Sequence, residues 1–240
     1  MLVFISFFSS YAQVKNKNQN KSFTESFKQE SCSFINTGRN QYFILEPGYQ
    51  LILEGMDGKE KVKLVITVLN KTKKIGNVET RIVEENESVN GKTTEISRNF
   101  FAICKETGNV FYFGEEVDIY KNGKVVSHEG AWIAEARLPD LPDRQAGGQG
   151  KNKAGIMMPG QVIPGDRYYQ EIAPGVAMDR AEIVSVNEKL KTPADSFNNC
   201  VKVEETTPLE PKAKEYKIHA PGIGLIRDGN LQLITYGFKK

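Results

Sequence analysis

Residues 93–136 read TTEISRNFFAIC (93–104), KETGN (105–109), VFYFGEEVDIY (110–120), KNGK (121–124) and VVSHEGAWIAEA (125–136). Three runs rich in β-branched and aromatic residues are split by two short glycine-containing turns. That pattern predicts a meander of about three antiparallel strands. In the first run Thr94, Ile96, Phe100, Ala102 and Cys104 share one face, with Arg98 among them. Glu95, Ser97, Asn99, Phe101 and Ile103 share the other, because successive strand residues point to opposite sides. Aromatic side chains on both faces predict a sheet covered on both sides. The stretch also holds the only tryptophan, Trp132, so the core is expected to be built on it.

Strand signals continue outward in both directions. Upstream come Tyr49 to Met56, closed by the hairpin signal Asp57-Gly58, then Lys61 to Asn70, with Val62, Leu64, Ile66 and Val68 on one face. Val78 to Asn86 follows, and the turn at Asn90-Gly91 leads into the meander. Downstream, strands are expected at Arg167–Ile172, Val176–Val186, Asn199–Thr206, Lys214–His219, Gly224–Arg227 and Leu231–Tyr236. No amphipathic helix of three turns is present in the pattern; Ser22 to Gln29 is the best candidate and lacks an apolar stripe. The expectation is all-β: an antiparallel meander sheet closing into a barrel, half-barrel or sandwich, with no more than one short helix.

With 240 residues, 39% of them hydrophobic, the chain is long enough for one large domain, here placed at 36–240. The Pro- and Gly-rich stretch at 137–155 lacks periodicity and reads as a flexible loop, open to trypsin at Arg144 or Lys151. Residues 1–12 pattern as the end of a signal peptide: an apolar run from Leu2 to Phe8, then small residues before Ala12. Residues 13–35, polar and rich in Asn, Lys and Ser, read as a disordered linker. Export to the periplasm, cell envelope or beyond is the resulting expectation.

Thirty-two basic against thirty acidic residues leave a net charge of +2, which provides no electrostatic footprint for nucleic acid. No run reaches the eighteen or so apolar residues needed for a membrane-spanning helix. Three cysteines in an exported chain suggest one disulfide and one free thiol. Cys104 ends one core strand and Cys200 begins another, so this pair is favoured over the two alternatives, leaving Cys32 free. Gln29-Glu30-Ser31 is not a lipobox, which argues against a lipid anchor on Cys32.

The strings RNFFAICKETGNVFYFGEEVDIYKNGKVVSHEGAW (98–132), YYQEIAPGVAMDRAEIVS (168–185) and ETTPLEPKAKEYKIHAPGIGLI (205–226) resemble a group of uncharacterised secreted bacterial proteins, usually named hypothetical or putative lipoproteins. The resemblance covers most of the chain from Asn36 to Gly237 and implies export, an all-β fold and no assigned activity. More loosely, the strand succession is similar to the open half-barrels of periplasmic lipoprotein carriers, an analogy of fold alone.

No nucleophile elbow, zinc-protease helix, P-loop or cysteine–histidine string occurs. His128-Glu129 with His219 is the only possible imidazole set, and Met157, Met158 and Met178 could serve as soft ligands; isolated residues of both kinds usually serve packing. No cofactor and no metal are expected. In the strand after Pro174-Gly175, Arg180 and Glu182 share a face with Val176, Met178 and Val184, while Asp179 lies on the other with Ala177, Ala181 and Ile183. Charges among core-type neighbours need partners, so they form either an internal ion-pair network or a polar patch that orients a ligand. Candidate ligand-binding residues are therefore Tyr168, Glu171, Arg180, Glu182, Trp132 and Arg98. The functional expectation is a non-enzymatic β-protein that binds a hydrophobic or amphipathic ligand, or an envelope protein partner. The alternatives are a hydrolase using carboxylates such as Glu171 and Asp179, and a structural surface module.

Overall fold

A computed structural model describes residues 22–134 and 152–239. The proposed signal segment, the first part of the linker (13–21), and the part of the loop that holds both trypsin sites (137–151) lie outside the described residues. Three two-residue strands come first: β1 (Phe34–Ile35), β2 (Arg39–Asn40) and β3 (Phe43–Ile44). Five long strands follow: β4 (Tyr49–Asp57), β5 (Glu60–Ile75), β6 (Val78–Val89), β7 (Lys92–Cys104) and β8 (Val110–Lys121). Then come β9 (Lys124–Ser127), β10 (Trp132–Ile133) and β11 (Lys153–Met158). The second half supplies β12 (Arg167–Tyr169), β13 (Glu171–Ile172), β14 (Arg180–Lys191) and β15 (Ser196–Thr206), and ends with β16 (Lys214–Ala220), β17 (Gly224–Asp228) and β18 (Leu231–Phe238). The single helical element among the described residues is a 3-10 turn at Gln29–Ser31.

Thirteen strands form one antiparallel path, β12-β14-β15-β16-β17-β18-β4-β5-β6-β7-β8-β11-β13. Its two ends, β12 and β13, are consecutive in the chain and separated only by Gln170, so the path returns on itself as a nearly closed barrel. Closure removes the unpaired edges that an open sheet would expose. At this seam Gly155 lets two backbones approach closely: a Cβ there would overlap the carbonyl oxygens of Gln170 and Tyr169. β11 begins at Lys153, within the stretch read from sequence as loop.

The two faces of β7 predicted by alternation are both buried, each for a different reason. Phe101 and Ile103 point into the barrel, whereas Phe100, Ala102 and Cys104 point outward and are covered. The cover is the segment read from sequence as linker. β1 pairs with the end of β7, Phe34 opposite Cys104, and the Phe34 ring packs edge-on against Phe111 and Phe113 at 5.3 Å from each. Thr24 is tied to β12 through hydrogen bonds with Arg167 and Tyr169.

The cysteine pairing expected from sequence is corrected. The disulfide joins Cys32 to Cys104, with Cα atoms 5.1 Å apart, and Cys200 is a buried free thiol. β7 and β15 stand on opposite walls of the barrel, six or more strands apart in either direction. Cys104 also faces outward, away from β15 and directly under the N-terminal segment, so only Cys32 is within bonding reach.

The small β2–β3 hairpin is built across one end of the barrel. The Asn40 side chain donates to the carbonyls of Gly108 and Pro159 on one wall. Tyr42 donates to Asn199 on the other, and the Gly222 amide donates to Gln41. Tyr42, Ile44 and Leu45 are buried by this arrangement, and Phe43 packs on Phe101 with ring centroids 5.1 Å apart. One end of the barrel is thereby plugged with apolar side chains.

Candidate functional site

Beneath the plug lies a cavity of about 350 Å³. Its upper part is apolar: Phe43 and Ile44 from the hairpin, Leu51 and Val68 from β4 and β5, Phe101 from β7 and Leu225 from β17. Towards the other end the lining changes to carboxylates, almost every one from a different strand. Glu85 comes from β6, Glu95 from β7, Glu115 from β8, Glu171 from β13, Glu205 from β15 and Asp228 from β17, with Asp179 just before β14. Strand register explains the gradient. Val83 precedes Glu85 on β6, and Glu95 and Phe101 share the inner face of β7 three inward positions apart. His219 and Lys217 occupy successive inward positions on β16, opposite Val201 and Val203.

Two β-bulges complete the ring. On β8 strict alternation would put Tyr112, Glu116 and Asp118 on one face. The extra residue at Gly114, with φ of 125°, shifts the phase, so that Asn99 faces Glu115 and Phe101 faces Tyr112. Glu115 therefore turns inward. Glu116 and Asp118 turn outward, where they pair with Lys73 and Arg98. A second irregularity, between Ile218 and His219 in the β16–β17 register, brings Leu225 and Asp228 to the same inner face.

Seven carboxylates line this cavity with one lysine, and the consequences follow from Coulomb's law. Two unit charges about 6 Å apart at an effective dielectric of ~20 repel by roughly 3 kcal/mol, so the set cannot be fully ionised. Burial, reinforced by neighbouring acids, pushes Glu85 up to about 7 and Glu115 up to about 8. The same causes hold Glu171 well above the usual carboxylate range and raise Glu95, Asp179 and Asp228. Glu205 is the exception. Burial pushes it up, but Lys217 at 3.0 Å and the Gln170 amide at 2.8 Å outweigh this and hold it below its ordinary value. Burial would strip the proton from Lys217, yet Asp228 and Glu205 overcome it and keep the ammonium charged. Burial drives His219 down to about 4, so its ring is neutral near pH 7. The Tyr112 hydroxyl donates to Asn99 at 2.5 Å, and its proximity to Glu115 offsets part of the upward push of burial on that carboxyl.

Of the six candidate residues, Glu171 alone lines the cavity. Tyr168 is buried beside it on β12, its hydroxyl without a partner. Trp132 packs edge-on against Tyr112 at 5.4 Å, one layer behind the lining. Arg98, Arg180 and Glu182 are on the outer wall, which corrects the expected apolar setting of the last two. Arg98 bridges Glu84 and Asp118. Arg180 lies over the Phe23 ring at 4.4 Å and donates to Thr206, and Glu182 pairs with Arg167 at 2.7 Å. The inward face of β14 is instead the one carrying Asp179, Ala181 and Ile183. His128 sits outside against Val117 and Asp118, so the two imidazoles share no site. Glu85, Glu95 and Glu205 are acids in phase with core residues of their own strands, and that phase is the signal by which the sequence marks them. Glu115 and Asp228 depend on the bulges and carried no such signal.

The fold and site together define a nearly closed all-β barrel, plugged at one end, with an acidic internal cavity. Comparison of the chain with protein-family models, curated proteins and solved structures finds no significant match.

Proposed function

We propose that the protein is an exported, non-enzymatic binding protein that takes an amphipathic small molecule into its barrel. One observation carries this reading: the cavity is apolar under the β2–β3 hairpin and polar toward the opposite end, so a ligand with both characters matches it along its length. The volume is at the small end of the range for ligand sites, roughly 300–1,000 Å³. Export is supported by the signal-like pattern of residues 1–12 and by the Cys32–Cys104 disulfide, a bond that persists in oxidising compartments. Native mass spectrometry of protein purified from its own host tests the binding role. Trp132, packed on the cavity-lining Tyr112, supplies an independent optical report of occupancy. A mass equal to the bare polypeptide, with no change in Trp132 emission across neutral, cationic and anionic amphiphiles, overturns it.

A second reading, carboxylate-dependent hydrolysis, is favoured by one specific feature. Burial and neighbouring acids push Glu115 up to about 8 and Glu171 well above the usual carboxylate range while Lys217 and Gln170 hold Glu205 below its ordinary value, and acid–base chemistry needs such a division. Turnover of generic ester, glycoside or phosphate substrates that Glu171→Gln abolishes supports this alternative, and no turnover by the parent chain removes it.

A further inference from the structure

We propose that the ligand is an organic cation, its ammonium or amidinium head among Glu85, Glu95, Glu115 and Asp228 and its apolar body beneath Phe43 and Ile44. This rests on the reading of the cavity as a ligand site and adds the charge of the occupant. Among the described residues Lys217 is the only lysine or arginine lining the cavity, and it is already engaged by Glu205 at 3.0 Å and Asp228 at 3.7 Å. Glu85, Glu95, Glu115, Glu171 and Asp179 have no ion-pair partner among the described residues.

Two buried polar atoms in the lining lack hydrogen bonds, and one of them, on His219, is independent of the acids. His219 is 8% exposed, and its Nδ1 has no partner. The Tyr42 backbone favours a proton on the ring, which assigns the single proton of the neutral imidazole to the nitrogen on that side and leaves Nδ1 with a lone pair. Asp228 Oδ1 is likewise unpartnered. Buried polar atoms are normally satisfied, and both of these need a donor. An anionic head brings only acceptors and would meet a Lys217 that is already paired. An ammonium or amidinium head brings two or more donors together with the missing positive charge.

The spacing separates an organic cation from a metal ion. A hard divalent cation draws oxygen ligands to about 2.0–2.6 Å, which forces them close to one another. Among the described residues the only set of three ligand atoms within 4.8 Å of each other is Cys32, Cys104 and Glu106, at the outer disulfide. The carboxylates of the cavity are spread more widely and suit a head group with several separated N–H donors.

The test is isothermal titration calorimetry of the full chain near neutral pH with three probes that share one body: phenylbutylamine, phenylbutanol and phenylbutyrate. The amine is expected to bind at least ~10-fold more tightly than the alcohol, with the acid weakest of all, a factor that corresponds to one well-placed charge interaction. Glu85→Gln combined with Asp228→Asn should abolish the preference for the amine while retaining the alcohol. Glu116→Gln on the outer wall should change neither. If the double variant does not fold, the ranking of the three probes on the parent chain decides. Equal binding of amine and alcohol, or tighter binding of the acid, overturns the cationic assignment and leaves the cavity as a ligand site. Failure of all three to bind overturns both readings. Saturable Mn²⁺ binding that displaces the amine makes this a metal site and overturns the proposal.

Discussion

Raising the pH from about 5.5 to 8 should destabilise this protein, and the cause is the carboxylate lining of the barrel. In the native chain Glu115 holds its proton to about pH 8 and Glu85 to about pH 7, whereas both ordinarily lose it near 4.5. Between those limits the folded state binds more protons than the unfolded one, so stability drains as pH rises. His219 acts in the opposite sense. Its folded value of about 4 lies below its ordinary 6.5, and its contribution is lost as pH falls through that window. Integrating these three groups from about pH 8 to 5.5 leaves a net gain on acidification of roughly 3.5 kcal/mol before water in the cavity screens the charges, and the raised Glu171 and Glu215 act in the same direction. Urea unfolding followed by Trp132 emission at pH 5.5, 6.5, 7.5 and 8 measures the slope. Glu115→Gln keeps the side chain's shape and its contact with Tyr112 while removing the titration, and should make the slope clearly shallower. Stability that is flat or rises with pH, or a Glu115→Gln slope equal to the parent's, refutes the account of the cavity as a set of enclosed, mutually repelling carboxyls.

The Cys32–Cys104 bond spans 72 residues, so its removal in Cys32→Ala should cost about 4 kcal/mol in the chain-entropy limit. Non-reducing peptide mapping should recover that link, with Cys200 alkylated only after denaturation; a Cys104–Cys200 peptide would contradict the fold. Gly114→Ala should destabilise by more than about 2 kcal/mol, since φ of 125° disfavours any side chain and a Cβ would overlap the Trp132 carbonyl. A thermal melt within a degree of the parent would show that the bulge is not fixed. Arg98→Ala removes half-exposed ion pairs on the outer wall and should cost less than about 1 kcal/mol without changing probe affinity. Altered affinity in calorimetry would place Arg98 back at the site.

The chain's alternation carried a large part of the architecture. Period-two patterning in Lys92–Cys104 assigned its two faces correctly, and aromatics on both sides required cover on both sides, because exposed Phe100 and Phe101 would each forfeit burial of a large apolar surface. Short glycine turns set which strands are neighbours, so the meander from β4 to β8 was legible from local signals alone. What covers the outer face was not legible. Residues 22–35 have the composition of a linker, and only their docking against Phe111, Phe113 and Cys104 orders them. The disulfide follows from that docking, since pairing depends on distance in space and not on strand membership. The site divides in the same way. Glu85, Glu95 and Glu205 lie in phase with core residues, but phase cannot say whether an acid faces a void or a partner. Glu115 and Asp228 reach the interior only through the β-bulges on β8 and in the β16–β17 register. A bulge reverses every side chain beyond it, and where one forms is decided by the fit of neighbouring strands around a closing barrel.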